Sequence, residues 1–101
     1  MHIVEILLPL YDNGGRRFDR TLYAQVRERM VERFGGLTAF TRSPAEGLWE
    51  EDGACSRDEI VIFEVMSDGI DRNWWERYRQ ELEALFCQDE IVVRAHEVEK
   101  L

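Results

Sequence analysis

Four ionisable residues lie in stretches that otherwise have the composition of buried strands: Glu5, Glu64, Arg94 and His96. Glu64 is the clearest case, because residues 59–66 are rich in β-branched and aromatic side chains, among which a carboxylate needs a partner. A carboxylate in an apolar setting, or a histidine paired with one, can act as a general base. An arginine can hold an enolate oxygen. The pattern predicts a site for a small anionic or phenolic molecule, with Glu64 and His96 catalytic and Glu5 and Arg94 binding the ligand.

The same residues have a second, structural interpretation. Glu5 with Arg94, and Glu64 with another partner, would be cross-strand or intersubunit ion pairs that fix the register of the strands. The chain would then be a non-catalytic homodimeric interaction module. Under the first interpretation it is a small-molecule binding protein or a cofactor-free enzyme, such as a monooxygenase or an isomerase. Both interpretations stay open at the level of the sequence.

Tryptophans are the other candidates for a ligand site. Trp49 and Trp74, with Trp75 as an alternative to Trp74, are predicted to line a pocket, although a tryptophan at helical spacing more often belongs to a core or an interface. No metal is predicted, because His2 falls on the other face of its strand from the predicted site and is not expected to join His96. No cofactor is predicted either.

Hydrophobic periodicity divides the chain into six elements. Strands are predicted at residues 2–8, 37–42, 59–66 and 90–98, and helices from 19 or 20 to 34 and from 71 to 87. Asp19 is the predicted N-cap of the first helix, and Asp68 or Asp71 that of the second. Residues 48–50 are predicted to resume strand pairing, and residues 51–58 to form a mobile polar loop.

This order of elements predicts one ferredoxin-like βαββαβ domain over residues 1–101, with right-handed crossovers and both helices on one face of a four-stranded antiparallel sheet. The first and third strands are central. Period-two parity assigns one set of side chains to the helix-covered face: Val4, Ile6, Leu8, Val61, Phe63, Val65, Ile91, Val93 and Ala95. The opposite parity forms the open face: Ile3, Glu5, Leu7, Ile60, Ile62, Glu64, Met66, Val92, Arg94, His96 and Val98.

The open face is mostly apolar, which is unusual for a monomer. We therefore predict a homodimer in which the open faces of two copies meet about a two-fold axis, with a cavity between the sheets that could hold the ligand.

The whole chain resembles the dimeric α+β barrel superfamily, in which two ferredoxin-like subunits meet sheet to sheet. The start of the second helix, residues 73–78 (Asn-Trp-Trp-Glu-Arg-Tyr), resembles the corresponding segment of antibiotic-biosynthesis monooxygenases, stress-responsive domains and uncharacterised small bacterial domains. Haem-degrading members use a histidine in this helix, and residues 71–88 contain none, which counts against haem. Cofactor-free members have an asparagine and a tryptophan beside a hydrophobic cavity, roles for which Asn73 and Trp74 or Trp75 are the candidates.

Charge and cysteine content set further limits. The net charge of −8 argues against a nucleic-acid partner or an anionic membrane surface. Residues 16–33 are the exception, with a net charge of +3; they form either a solvated helix face or a site for an anion or an acidic partner.

Cys55 and Cys87 show no metal-ligand spacing, and Cys87 is predicted to lie in the core. We expect a reduced, cytoplasmic protein without a signal peptide.

Overall fold

The computed structural model describes residues 1–42 and 59–101. They form β1 (His2–Pro9), α1 (Arg20–Phe34), β2 (Thr38–Arg42), β3 (Ile60–Ser67), α2 (Arg72–Leu85) and β4 (Val92–Glu97). The predictions for residues 48–50 and 51–58, and those for Trp49 and Cys55, lie outside the described residues. Neither α1 nor α2 has the length and hydropathy of a membrane-spanning helix, in the part of the chain that is described.

The four strands form one antiparallel sheet in the order β2-β3-β1-β4. The predicted ferredoxin-like plan is therefore confirmed, with β1 and β3 in the centre and β4 and β2 at the edges. The register places Glu5 of β1 opposite Glu64 of β3 on one side and opposite Arg94 of β4 on the other. Alternation along each strand then fixes which side chains share a face.

The core lies between the sheet and the helices. The inward parity of β1 and β3 is buried as predicted, except for the partly buried Val61, and it packs against the apolar faces of α1 and α2. The cluster comprises Val4, Ile6, Leu8, Val26, Met30, Phe63, Val65, Trp75, Tyr78, Leu82, Phe86 and Ile91. Burial of this apolar area supplies the main favourable contribution to folding.

Four side chains depart from the predicted burial. Ile62 belongs to the open-face parity, yet it is 1% exposed. The apolar stripe predicted for the first helix (Leu22, Val26 and Met30) has Val31 at its flank, but Val31 is 46% exposed, because the helix places it away from the sheet. Ala95 has the helix-facing parity, but it is exposed, because a methyl group on an edge strand does not reach α2. The prediction for Cys87 was wrong: it is exposed and takes a left-handed backbone (φ 51°) just after α2, a turn that directs it out of the core.

The helix ends follow the predicted capping. The Asp19 carboxylate accepts a hydrogen bond from the Thr21 N–H at 2.9 Å, and Gly35 ends α1 in the left-handed conformation (φ 79°) that favours glycine. Of the two candidate caps for α2, the structure selects Asp71, which accepts from the Trp74 N–H at 3.1 Å. Asp71 also forms an ion pair with Arg33 of α1, at 3.5 Å.

The Asp71→Ala variant is expected to be less stable than the wild type by about 1–2 kcal/mol, since it loses an N-cap and a surface ion pair. Asp68→Ala is the matched control, because Asp68 is exposed and does not cap the helix. Urea unfolding monitored by circular dichroism measures both. Equal losses in the two variants would contradict the assignment of the cap.

Candidate functional site

The charged residues of the open face come together because three adjacent strands share one register. Thr38, Glu64, Glu5 and Arg94 are successive cross-strand partners, so they form a row across β2, β3, β1 and β4. His96 lies two residues along β4 from Arg94, on the same face. We call Glu5, Glu64, Arg94 and His96 the polar cluster.

Glu5 lies at the centre of the polar cluster. Its side chain is only 14% exposed, and its Oε1 accepts a hydrogen bond from the Arg94 Nε at 3.2 Å. The His96 Nδ1 lies 3.9 Å from the same oxygen, close enough for an ion pair when the imidazole is protonated. Arg94 and His96 remain half-exposed, at 50% and 55%, so these contacts contribute about 0–1 kcal/mol each in the isolated chain.

Glu64 contributes a second carboxylate next to Glu5. It is half-buried, and like charges directly opposite each other on neighbouring strands repel. The polar cluster thus holds two carboxylates and one guanidinium, with a histidine that adds positive charge only when protonated. Such a set can accept a proton from a hydroxyl group and hold the resulting oxygen next to an arginine.

Apolar side chains surround the polar cluster on the open face. Ile3 and Leu7 flank Glu5 on β1 and are half-buried. Met66 and Val92 are large and exposed, at 45% and 44%. Because these apolar side chains lie next to the polar cluster, a molecule placed against the open face would contact both.

Trp74 lies on the other side of the sheet and does not join the polar cluster. Its ring stacks on Tyr78 at 5.1 Å between centroids, and the Arg33 guanidinium lies 4.1 Å from its ring centre. Trp75 is the buried member of the pair, at 7% exposure. Burial in this aromatic layer raises the pKa of Tyr78 to about 12. Trp74 thus packs α2 on α1.

Glu83 is a well-connected residue that sequence reasoning missed. Its Oε2 accepts from the Arg79 Nη1 at 2.9 Å and from the Ile91 N–H at 3.0 Å, so it joins α2 to the start of β4. The four-residue spacing from Arg79 indicated an ion pair, but no local pattern indicated the contact with Ile91. Within residues 1–42 and 59–101, no three histidine, cysteine, aspartate or glutamate side chains are grouped to hold a metal ion.

Comparison with known proteins rests on structure, because no protein-family profile matches the chain and no curated protein matches its sequence. A phage SAM lyase, solved in complex with S-methyl-5′-thioadenosine, matches with a TM-score of 0.59 at 14% identity, over 95% of this chain and 80% of the lyase chain. CutA1 from Pyrococcus horikoshii matches with a TM-score of 0.56 at 16% identity, over 100% of this chain and 86% of its own. The chain has the ferredoxin-like fold.

These similarities show the fold alone, since one fold carries many functions and the identities are low. The more specific resemblance to the dimeric α+β barrel superfamily stays a prediction. The function therefore has to be inferred from the polar cluster and the surface around it.

Proposed function

We propose that the chain acts as a homodimer that binds a small phenolic molecule at the polar cluster, between the open faces of the two sheets. The observation that supports this most is the position of Glu5. The Glu5 side chain is 14% exposed on a mostly apolar face, and it is bonded to Arg94 with His96 nearby. A second sheet laid on this face would remove water from the cluster and strengthen its electrostatic interactions.

The charge of the cluster favours a phenol over an anion. Two carboxylates, Glu5 and Glu64, stand against one arginine, so a ligand that arrives with a negative charge is repelled. A neutral phenol instead donates its O–H to Glu64, and Arg94 holds the charge that develops on the oxygen. Arg94 uses its Nε on Glu5, and its four terminal N–H groups are further donors. Glu64 and His96 are then the groups that remove and return the proton.

A second copy of the chain complements the open face in charge. Within the polar cluster, the acidic residues lie on β3 and β1 and the basic ones on β4, so the cluster has an acidic side and a basic side. A two-fold axis parallel to the strands places β4 of one copy over β3 of the other. Arg94 then faces the partner's Glu64, and the two Glu5 side chains, each bonded to the Arg94 of its own copy, meet at the axis.

The Glu64→Gln variant tests the proposed site. Wild-type protein is titrated with 4-nitrophenol, whose ionisation is visible in its absorbance, and with 4-nitrobenzoate as the anionic counterpart. We expect the phenol to bind and the benzoate to bind at least about tenfold more weakly. Glu64→Gln is expected to weaken phenol binding by about tenfold while the dimer persists, because an amide is a poorer acceptor than a carboxylate.

The matched control is Glu28→Gln, which removes one charge from the exposed surface of α1 and should leave phenol binding unchanged. A wild-type chain that binds neither compound, or a Glu64→Gln variant that binds the phenol as the wild type does, would overturn the proposed site. S-methyl-5′-thioadenosine is a useful additional probe, because the phage SAM lyase of the same fold was solved with it. Displacement of it by 4-nitrophenol would extend the ligand class to nucleosides.

The Glu5–Arg94 contact favours a second candidate function, a homodimeric interaction module whose cluster only fixes register. It predicts a dimer that binds neither probe. In that case Glu64→Gln changes the stability of the fold or the association of the two copies, and neither 4-nitrophenol nor 4-nitrobenzoate shows binding.

A further inference from the structure

A groove of about 450 Å³ lies between α2 and the edge strand β4, and Arg94 and His96 of the polar cluster are among its lining residues. Val4, Val93 and Trp75 provide apolar surface in it. The groove stays open because Ala95 of β4 is too small to reach α2, and Ala95 is accordingly exposed. A volume of this size falls within the usual range for small-molecule sites, about 300–1,000 Å³.

His2 is a lining residue of the groove and carries a ring nitrogen without a hydrogen-bond partner. The imidazole lines the groove, and its Nδ1 is shielded from solvent without a hydrogen-bond partner. Buried polar atoms in folded proteins nearly always have a partner. A half-turn of the ring about its Cβ–Cγ bond exchanges Nδ1 and Cδ2, so a polar group in the groove could satisfy this nitrogen.

The rim of the groove carries both signs of charge. Arg72 and Glu76 lie one turn apart on α2, and within the described residues they form no ion pair with each other or with a neighbour. Glu97 of β4 lies across the groove, opposite His2 in the strand register. Arg79, by contrast, is already bonded to Glu83 at 2.9 Å. A molecule with a carboxylate and an ammonium group next to an apolar body therefore matches the groove better than an ion of one sign.

We propose that this groove binds a free α-amino acid with an apolar or aromatic side chain. Its carboxylate faces Arg72 and its ammonium group faces Glu76 or Glu97. Its side chain lies on Trp75 and Val93. The groove shares Arg94 and His96 with the polar cluster, whereas Glu5 and Glu64 do not line it.

Three related compounds test the charge pattern in an NMR titration of the full chain labelled with ¹⁵N. L-Phenylalanine carries both head groups, 3-phenylpropanoate lacks the ammonium group, and 2-phenylethylamine lacks the carboxylate. We expect L-phenylalanine to give saturable shifts of the Trp75 indole and Ala95 amide signals. Each truncated compound is expected to bind at least about tenfold more weakly, since it loses one charged interaction.

Ala95→Leu fills the groove and is expected to weaken L-phenylalanine binding by at least about tenfold. Ala84→Leu is the matched control, an exposed alanine of α2 away from the groove, and should bind as the wild type does. Both variants keep their amide spectra if they fold. The absence of saturable shifts in the wild type, equal binding of all three compounds, or unchanged binding by Ala95→Leu would each overturn the assignment.

Discussion

The Met66→Asp variant is expected to sediment as a monomer at concentrations at which the proposed homodimer of the wild-type chain forms. Met66 is 45% exposed on the open face, so a charge there costs little in the isolated subunit. In a sheet-to-sheet dimer the same position is buried twice, once in each copy, and an unpaired carboxylate is expensive to bury. A rise of about 100-fold in the dissociation constant, equivalent to about 2.8 kcal/mol, is a conservative expectation.

Val31→Asp is a closely matched control for this substitution. Val31 is 46% exposed, but it lies on α1, on the helix side of the sheet. It introduces the same charge at the same degree of exposure, and it should leave the dimer intact. Analytical ultracentrifugation over a range of concentrations measures both variants, and circular dichroism verifies that each is folded.

Two results would contradict a homodimer formed through the open face. One is a wild-type chain that stays monomeric up to about 1 mM, which would mean that the free energy of dimerisation is weaker than about 4 kcal/mol. The other is dissociation caused equally by Met66→Asp and Val31→Asp, which would mean that charge, and not the open face, governs association. Loss of the dimer only in Val31→Asp would indicate that the dimer interface lies on the helices and not on the open face.

The fold was predictable in large part because buried and half-buried residues alternate strictly along β1. Val4, Ile6 and Leu8 are each at most 1% exposed, and Glu5 lies between them in sequence with the opposite parity. Once β1 is central, the register that buries these three residues also directs Glu5 towards the open face. The contact of Glu5 with Arg94 then follows from β4 being the neighbour of β1. Local pattern and topology therefore sufficed to bring the polar cluster together.

Side-chain environments away from the central strands were less predictable. Adjacent tryptophans at 74 and 75 fit the periodicity of α2 equally well. Both contact Phe34, and they differ in that Trp75 is buried whereas Trp74 lies under the Arg33 guanidinium. Cys87 follows a helix that ends without a glycine, so no residue type signalled that it would adopt the left-handed turn. Parity correctly placed Ala95 on the helix side but could not show that α2 leaves it uncovered.

Replacement of Glu83 by alanine is expected to reduce the free energy of unfolding by about 3 kcal/mol, a large effect for a single glutamate. Its side chain is only 16% exposed, and it accepts two hydrogen bonds, from Arg79 and from the Ile91 N–H. Ile91 itself is 2% exposed, so its N–H loses its partner in a place that water reaches poorly. Hydrogen bonds to a charged group contribute about 1.5–3 kcal/mol each.

Glu83→Gln and Glu81→Ala separate the causes of this loss. Glutamine keeps an oxygen for the Ile91 N–H but gives up the charge that pairs with Arg79, so a smaller loss of about 1 kcal/mol is expected. Glu81 is two residues away, exposed, and 3.8 Å from Arg29; its replacement should cost about 0–1 kcal/mol. Urea unfolding of the three variants gives the comparison, and equal losses in Glu83→Ala and Glu81→Ala would contradict it.

Hydrogen exchange locates the effect of Glu83 in the fold. Ile91 directly precedes β4, the strand that carries Arg94 and His96. If Glu83 anchors this strand, Glu83→Ala should increase exchange at the Ile91 amide and along β4 more than in the central strand β1. The distance between Arg94 and Glu5 depends on where β4 begins, so phenol binding at the polar cluster should weaken as well. An equal increase in hydrogen exchange in all the strands of the sheet would instead mean that Glu83 supports global stability without positioning β4.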